Sequence, residues 1–224
     1  MVIKIISLKV AKSRQIAISN LMNMNNLQFE FVDAIDGREM KAKEYYPLSC
    51  NPNYFFNRRA MLTPAEVGCR LSHQKAISDF LNENSGRWLM ILEDDIQFKE
   101  GSNNFINKIT KTEVGRPMVI HLGGQEGILC RKRVLKKVDQ EFKKLGLYKV
   151  NKYTLRWLYR TCGYILNIEA AKELHELHRS FSFVADDWGF ILKNTNIKVV
   201  NFFDCVTHPT DLSDSSIESE RANA

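Results

Sequence analysis

The chain has 224 residues, enough for a domain with a substantial core, and at 44% hydrophobic and 26% charged it has the composition of a globular protein. No apolar run reaches the roughly 18 residues of a membrane span, and Met1 to Leu8 is too short, with no small-residue cleavage site after it, to read as a secretory signal. Net charge is +6, and the five cysteines (Cys50, Cys69, Cys130, Cys162, Cys205) are odd in number, widely spaced and without a CxxC, which argues against a disulfide framework or zinc site and for a reducing cytoplasm.

Val2 to Leu8 reads as a first strand, and Lys12-Ser13-Arg14-Gln15 opens a helix to about Asn25. Leu27 to Val32 alternates as a second strand and ends in the turn Asp33-Ala34-Ile35-Asp36-Gly37. Lys41 to Arg59, with two prolines and three asparagines, predicts an irregular loop. Thr63-Pro64-Ala65-Glu66 is a helix start: threonine to cap, proline at the first helical position, glutamate to close a capping box. Val67, Leu71, Ile77 and Leu81 give that helix its buried face to about Asn82. Gly68 and Ser72, one turn apart, permit close approach by another backbone or a ligand, and His73 is expected to hydrogen-bond in the core or behind a site.

Trp88 to Leu92 is a buried strand, Ser102 to Thr110 a helix, and Pro117 to Leu122 another strand ending in the flexible His121-Leu122-Gly123-Gly124. Thr161 to Leu166 and Ile197 to Phe203 are further strands. Between them lie a helix from Glu169 to Arg179, whose His175 and His178 are expected at the surface, and a short helix around Asp186-Asp187-Trp188-Gly189. The chain from Ser213 to Ala224 is a polar tail. Strands alternating with helices predict an α/β fold with a mostly parallel sheet and helices on both faces. Neither GxGxxG nor GxxxxGK[ST] is present, so no dinucleotide fingerprint or P-loop accounts for the acids at strand ends.

Glu93-Asp94-Asp95 is the most informative of these. Three adjacent carboxylates repel one another and gain nothing from packing, so a cation is their natural partner, most simply a hard divalent metal held through oxygen. In strand geometry Glu93 and Asp95 point the same way, about 7 Å apart at Cα, and Asp94 points away. The pair closes a strand at the carboxyl edge, where open α/β sheets bind ligands. A solvated acidic turn capping a helix is the alternative. Between Arg131 and Arg160, eleven Lys or Arg face only Asp139 and Glu141. Such a segment suits an anionic partner (a lipid surface, a phosphorylated glycolipid or nucleic acid) or is simply a solvated face.

Several separated blocks carry a resemblance: Phe31 to Gly37, Leu62 to His73, Leu92-Glu93-Asp94-Asp95, Gly163-Tyr164-Ile165, Asp187-Trp188, Val206-Thr207-His208-Pro209 and Ser215-Ser216-Ile217. With these the chain resembles glycosyltransferase family 25, the lipooligosaccharide galactosyl- and glucosyltransferases of Gram-negative bacteria and their procollagen galactosyltransferase relatives. The resemblance implies a single GT-A domain over 1–224, Rossmann-like and nucleotide-sugar-binding, with a basic insertion at about 131–160 and the polar tail at 213–224. It implies inverting, metal-dependent transfer of a hexose, galactose before glucose, from a UDP-sugar to a hydroxyl of a lipooligosaccharide sugar.

Carried onto this chain, Asp95, Glu93 and His208 would hold Mn²⁺ or Mg²⁺. Asp33, Asp36, Arg14, Glu93, Asp94, Gly123 and Gly124 would bind the donor, although the run after the first strand keeps only Ser13-Arg14 of the family pattern. Asp187 would be the general base with Asp186 in reserve, the alternative being an acid pair at a helix N-terminus, and Trp188 would either offer a face to the acceptor sugar or fill the core. The basic segment would then meet the anionic cytoplasmic face of the inner membrane, with no nucleic acid expected. Two other classes fit parts of the pattern. A metal-dependent phosphodiesterase or nuclease would need more ligands for two metals. A nucleic-acid binder would need a reading module and aromatics interleaved with the cations, which the basic run is not expected to supply.

Overall fold

The aliphatic run after Met1 forms β1 (Val2–Ser7) at the heart of one half of the sheet. The computed structural model describes residues 1–51, Tyr54, 61–84, 86–210, Ile217 and Glu220. After β1 come α1 (Lys12–Met24), β2 (Glu30–Asp33), α2 (Ala42–Ser49), α3 (Pro64–Glu83), β3 (Trp88–Glu93), β4 (Gln97–Phe98), α4 (Ser102–Thr110) and β5 (Val119–Gly123). Then follow β6 (Lys136–Val138), β7 (Tyr148–Val150), β8 (Gly163–Asn167), α5 (Ile168–Ser180), α6 (Trp188–Asn194) and β9 (Val200–Thr207).

The strands form one sheet in the order β2-β1-β3-β8-β5-β9-β7-β6, with β4 paired to β9. The first part is a parallel βαβ arrangement, β1 lying between β2 and β3. Six strands share one direction, but reversed β8 is inserted between β3 and β5, and reversed β7 between β9 and β6. The sheet is therefore α/β as expected, and mixed in its pairing. Helices cover both faces. One core joins Ile77 and Phe80 of α3 to Leu89 and Ile91 of β3 and Leu174 of α5. The other joins Ile18 and Met22 of α1 to Ile5, Met90 and Leu92, and to Phe105 and Ile106 of α4. Strand β3 is apolar from Trp88 to Leu92 because that stretch is buried on both sides.

Helix α3 starts as its sequence dictates. Glu66 N–H donates to Thr63 Oγ1 (3.3 Å), and Thr63 N–H donates to Glu66 Oε2 (2.8 Å), with Pro64 at the first position. The expected close approach at Gly68 and Ser72 is to backbone. Ser72 Oγ accepts the Ile35 N–H (2.8 Å), and a Cβ on Gly68 would fall inside contact distance of the Ile35 carbonyl and 2.6 Å from Gly37 N. This pins the 35–37 turn to the helix.

Four expectations change. Within the segment read as an irregular loop, residues 42–49 form α2. Pro47 signals a break, yet in so short a helix its missing N–H costs one intrahelical bond. His178 is buried at 4% exposure and packed on Phe183, not at the surface, whereas His175 stays half-buried and meets Ser78 Oγ (3.1 Å). Strand β9 continues past Phe203, because Asp204 does not end it but turns outward to Lys99 (2.7 Å). The basic segment contributes the β6–β7 hairpin to the sheet edge, tied down by buried Asp139, which accepts from Asn201 (2.7 Å) and pairs with Lys149 (3.1 Å). No described helix is long and apolar enough to cross a membrane. The polar tail lies outside the described residues apart from Ile217 and Glu220.

Candidate active site

The carboxyl ends of β1 and β3, the turn after β2 and the first turns of α1 and α3 enclose a cleft of about 350 Å³. This is the point where successive connections part, β1 to β2 on one side and β2 back across to β3 on the other, the usual ligand position of such a sheet. Ser7, Arg14, Asp36, Arg38, Cys69, His73 and the whole triplet Glu93-Asp94-Asp95 line it.

Alternation along β3 decides where Glu93 goes. Leu89 and Ile91 face α3, so Glu93, next in that series, also turns toward α3. Its Oε1 lies 3.7 Å from His73 Nε2 and accepts from Thr161 Oγ1 (3.1 Å). The strand stops there, and Asp94 and Asp95 lie in a turn. Asp94, 8% exposed, accepts from Ser7 Oγ (2.5 Å) and faces Arg14 Nη1 (3.4 Å). Burial raises its pKa above the ordinary carboxylate value, outweighing Ser7 and Arg14. Asp95 Oδ2 lies 3.4 Å from His208 Nε2 and 3.6 Å from Arg14 Nη1. Burial would raise its pKa, but His208 and Arg14 outweigh burial and lower it. Burial likewise opposes protonation of His208, and the Asp95 carboxylate more than offsets this, so the His208 pKa is raised.

Glu93, Asp95 and His208 each offer one ligand atom, all within 4.8 Å of one another. Asp95 Oδ1 is buried with no hydrogen-bond partner among the described residues, an uncompensated carboxylate oxygen of the kind a cation satisfies. Two carboxylates and an imidazole suit Mn²⁺ or Mg²⁺. The same-side convergence expected of Glu93 and Asp95 is thus present, although a turn rather than continued strand produces it. His208 arrives because β9 runs on to Thr207, where Val206 O accepts the Gly124 N–H (2.9 Å).

Other expected donor residues are more scattered. Arg14 lines the cleft beside Asp94 and Asp95. Asp36 also lines it, held below the usual carboxylate range by the Arg38 guanidinium hydrogen-bonded to it at 2.8 Å. Asp33 pairs with Lys9 (3.1 Å) and is not part of the lining. Gly123 and Gly124 are likewise off the cleft wall. Their backbones have φ of +113° and +69°, and a Cβ on Gly124 would strike Cys162 Sγ, so they shape the junction between β5 and β9.

Asp186 and Asp187 also stand outside the lining. Asp187 caps α6, accepting from Phe190 N–H (2.9 Å) on one oxygen and from Tyr54 OH (3.0 Å) on the other. Asp186 accepts the Arg160 N–H (2.8 Å), one residue before the Thr161 that touches Glu93. Trp188 is 1% exposed, its ring packed edge-on against Tyr164 and His121, so it presents no face to a sugar. The expectation of an acceptor platform there is corrected: the apolar ring fills the core beneath α6.

Ser7, Arg38, Cys69 and Thr161 join the site without having been singled out. For Cys69 a signal existed, since Ala65, Cys69, Ser72 and His73 follow the i, i+4, i+7, i+8 spacing of one helix face.

The family model for glycosyltransferase family 25 (LPS biosynthesis protein) matches residues 1–188, from β1 to the start of α6. The chain is 26% identical over 176 residues to a glycosyltransferase 25 family member of Anopheles gambiae, covering 77% of this chain and 28% of that protein. It is 25% identical over 181 residues to a glycosyltransferase 25 family member of Aedes aegypti, covering 78% and 28%. With procollagen galactosyltransferase 2 of Homo sapiens it shares 26% identity over 177 residues, covering 75% and 26%. The chain thus spans little more than a quarter of the length of these relatives. With the acidic triplet and the α3 face that meets it both inside the matched segment, the chain belongs to glycosyltransferase family 25.

Proposed function

We propose that this chain is an inverting glycosyltransferase of GT-A type, moving a hexose from a UDP-sugar to a hydroxyl of a lipooligosaccharide sugar. The observation that carries this reading is the convergence of Glu93, Asp95 and His208 on a cleft at the sheet's carboxyl edge, in a family 25 chain. The relative named a procollagen galactosyltransferase and the family's description as LPS biosynthesis protein support galactose as the hexose and a bacterial glycolipid as the acceptor.

Glu93, Asp95 and His208 would hold Mn²⁺ or Mg²⁺, which when bound supplies charge to offset the departing nucleoside diphosphate. Arg14, beside Asp95 and partly exposed to the cleft, orients its guanidinium toward the same space and adds positive charge there. Asp94 holds Arg14 and Ser7 in register from below. Of the two candidate bases, the contacts favour Asp186. Asp187 caps α6, whereas Asp186 is linked by hydrogen bonds to the metal-side carboxylate: it accepts the Arg160 N–H, and Glu93 accepts from the hydroxyl of the adjacent Thr161. A base removing the acceptor proton is worth typically about 10²–10⁴-fold.

The basic hairpin is the part of the molecule that would face a membrane. Arg131, Lys132, Arg133, Lys136 and Lys137 are exposed together with Leu129 (99%), Leu135 and Tyr153, a mixture of cation and apolar tip suited to an anionic lipid surface. Tyr148, Tyr153 and Trp157 do interleave with the cations, contrary to the sequence expectation, and Arg156 lies over the Trp157 ring (4.4 Å). On this reading the chain works at the cytoplasmic face of the inner membrane of a Gram-negative bacterium.

The test is donor hydrolysis, which needs no acceptor. UDP-galactose, UDP-glucose and UDP-GlcNAc are compared with Mn²⁺, Mg²⁺ and chelator. Mn²⁺-stimulated release of UDP, fastest from UDP-galactose, is expected. Failure of UDP with Mn²⁺ either to be released or to raise the melting temperature would overturn the reading.

A further inference from the structure

The geometry points to a second cation site, a thiolate-containing one that takes Zn²⁺ or a similar borderline-soft divalent ion through Cys69, His73 and Glu93. Each of these residues offers one ligand atom, and the three atoms lie within 4.8 Å of one another. Cys69 and His73 share one face of α3, which Glu93 meets from the end of β3.

His73 carries the argument. Its side chain is 2% exposed, and its Nδ1 lies 2.9 Å from the Tyr164 hydroxyl. In the tautomer that donates Nδ1–H to that oxygen, the Nε2 lone pair points toward Glu93 Oε1, 3.7 Å away, and Nε2 has no hydrogen-bond partner among the described residues. That separation is too long for a hydrogen bond. It is close to the spacing of about 3.3–3.7 Å between two ligand atoms on one tetrahedral ion with bonds of about 2.0–2.3 Å. A histidine whose other nitrogen is fixed by a buried hydroxyl is also the usual arrangement behind a metal ligand.

Cys69 is half-buried and lines the cleft, so an ion has a path in and a fourth position open to water. On binding, Cys69 releases its thiol proton to solvent and coordinates as thiolate; no redox change is involved. Sulfur distinguishes this set from the neighbouring Glu93, Asp95 and His208, whose oxygen-rich donors suit a harder ion. Glu93 belongs to both sets. If the function proposed above holds, an ion at the thiolate site withdraws Glu93 from the other and inhibits transfer.

The binding claim is tested without activity. The chain is titrated with Co²⁺, and the near-ultraviolet thiolate-to-cobalt band is followed. One equivalent with that band is expected. It should disappear in Cys69→Ser, and His73→Gln should weaken binding by at least about ten-fold. Asp95→Ala, which breaks only the neighbouring set, should keep the band, so failure of the proposed catalytic site and failure of this one are separable. Zn²⁺ should also slow alkylation of Cys69, read by peptide mass on the unaltered chain, which covers the case of a variant that does not fold. No band with the unaltered chain, a band persisting in Cys69→Ser, or alkylation indifferent to Zn²⁺ would overturn the proposal.

Discussion

His121 shows how much one buried side chain organises. Its Nδ1 accepts the Gly123 N–H (3.1 Å), and its Nε2 faces the carbonyls of Tyr159 (3.2 Å) and Arg160 (3.0 Å). Only the neutral ring protonated on Nε2 satisfies all three. Burial lowers its pKa to about 4. The folded value lies below the unfolded value of about 6.5, so the stability it contributes is complete above that pH and is lost as pH falls toward 4. The loss amounts to about 3 kcal/mol, shared in sign by buried His178. Urea melts at pH 7 and pH 4.5 should show it, and His121→Gln should flatten the dependence while lowering stability at pH 7. At the triplet, Asp95→Ala should cut Mn²⁺-stimulated donor hydrolysis by about 10²-fold or more with little change in melting temperature. Asp94→Ala should instead cost about 1–3 kcal/mol, because buried Ser7 loses its short acceptor and keeps only the long contact to Leu8 O (3.4 Å). That the triplet marks a cleft was legible in its sequence, since three adjacent acids have no packing reason to exist. Which oxygen faces which partner was not, because the strand ends at Glu93 and parity no longer applies.

Among the elements, α3 was the most legible, its capping box and proline marking the start to the residue. Helix α2 was hidden by Pro47, and the β6–β7 hairpin by its lysines, which read as solvated charge although three residues of each strand pair. Lysines on that edge also discourage a further strand from adding. The hairpin depends on Asp139, fully buried against Asn201 and Lys149. Asp139→Ala should cost about 2–4 kcal/mol and first raise amide exchange in 136–150, read by hydrogen-exchange mass spectrometry. Gly68→Ala tests the other junction. With no room beside the Ile35 carbonyl, the 35–37 turn must move, at a cost of about 2–3 kcal/mol, and Asp36 and Arg38 leave the cleft with it. Donor affinity and melting temperature should fall together.

At the scale of the molecule, charge is segregated: an acidic cleft at one end of the parallel half and a basic hairpin on the far edge of the sheet. Flotation with vesicles containing anionic lipid should recover the chain at low salt and lose most of it near 0.5 M, where charges a nanometre apart no longer interact. Binding indifferent to salt would contradict a membrane role for the hairpin. The segregation was legible in the sequence; the order of strands was not, since alternating elements do not announce that one will be inserted backwards. Strand β8 is that insertion, and it has a consequence for synthesis. Within the sheet, β3 and β5 are joined through Gly163–Asn167, which pairs with both. A nascent chain that has emerged only to residue 150 therefore carries β3 paired to β1 with its other edge bare, and β5 with neither of its partners, β8 and β9. Until β8 arrives those edges are open to pairing with other chains, and stalled nascent chains exposed to just before and just after residue 167 should differ sharply in protease resistance.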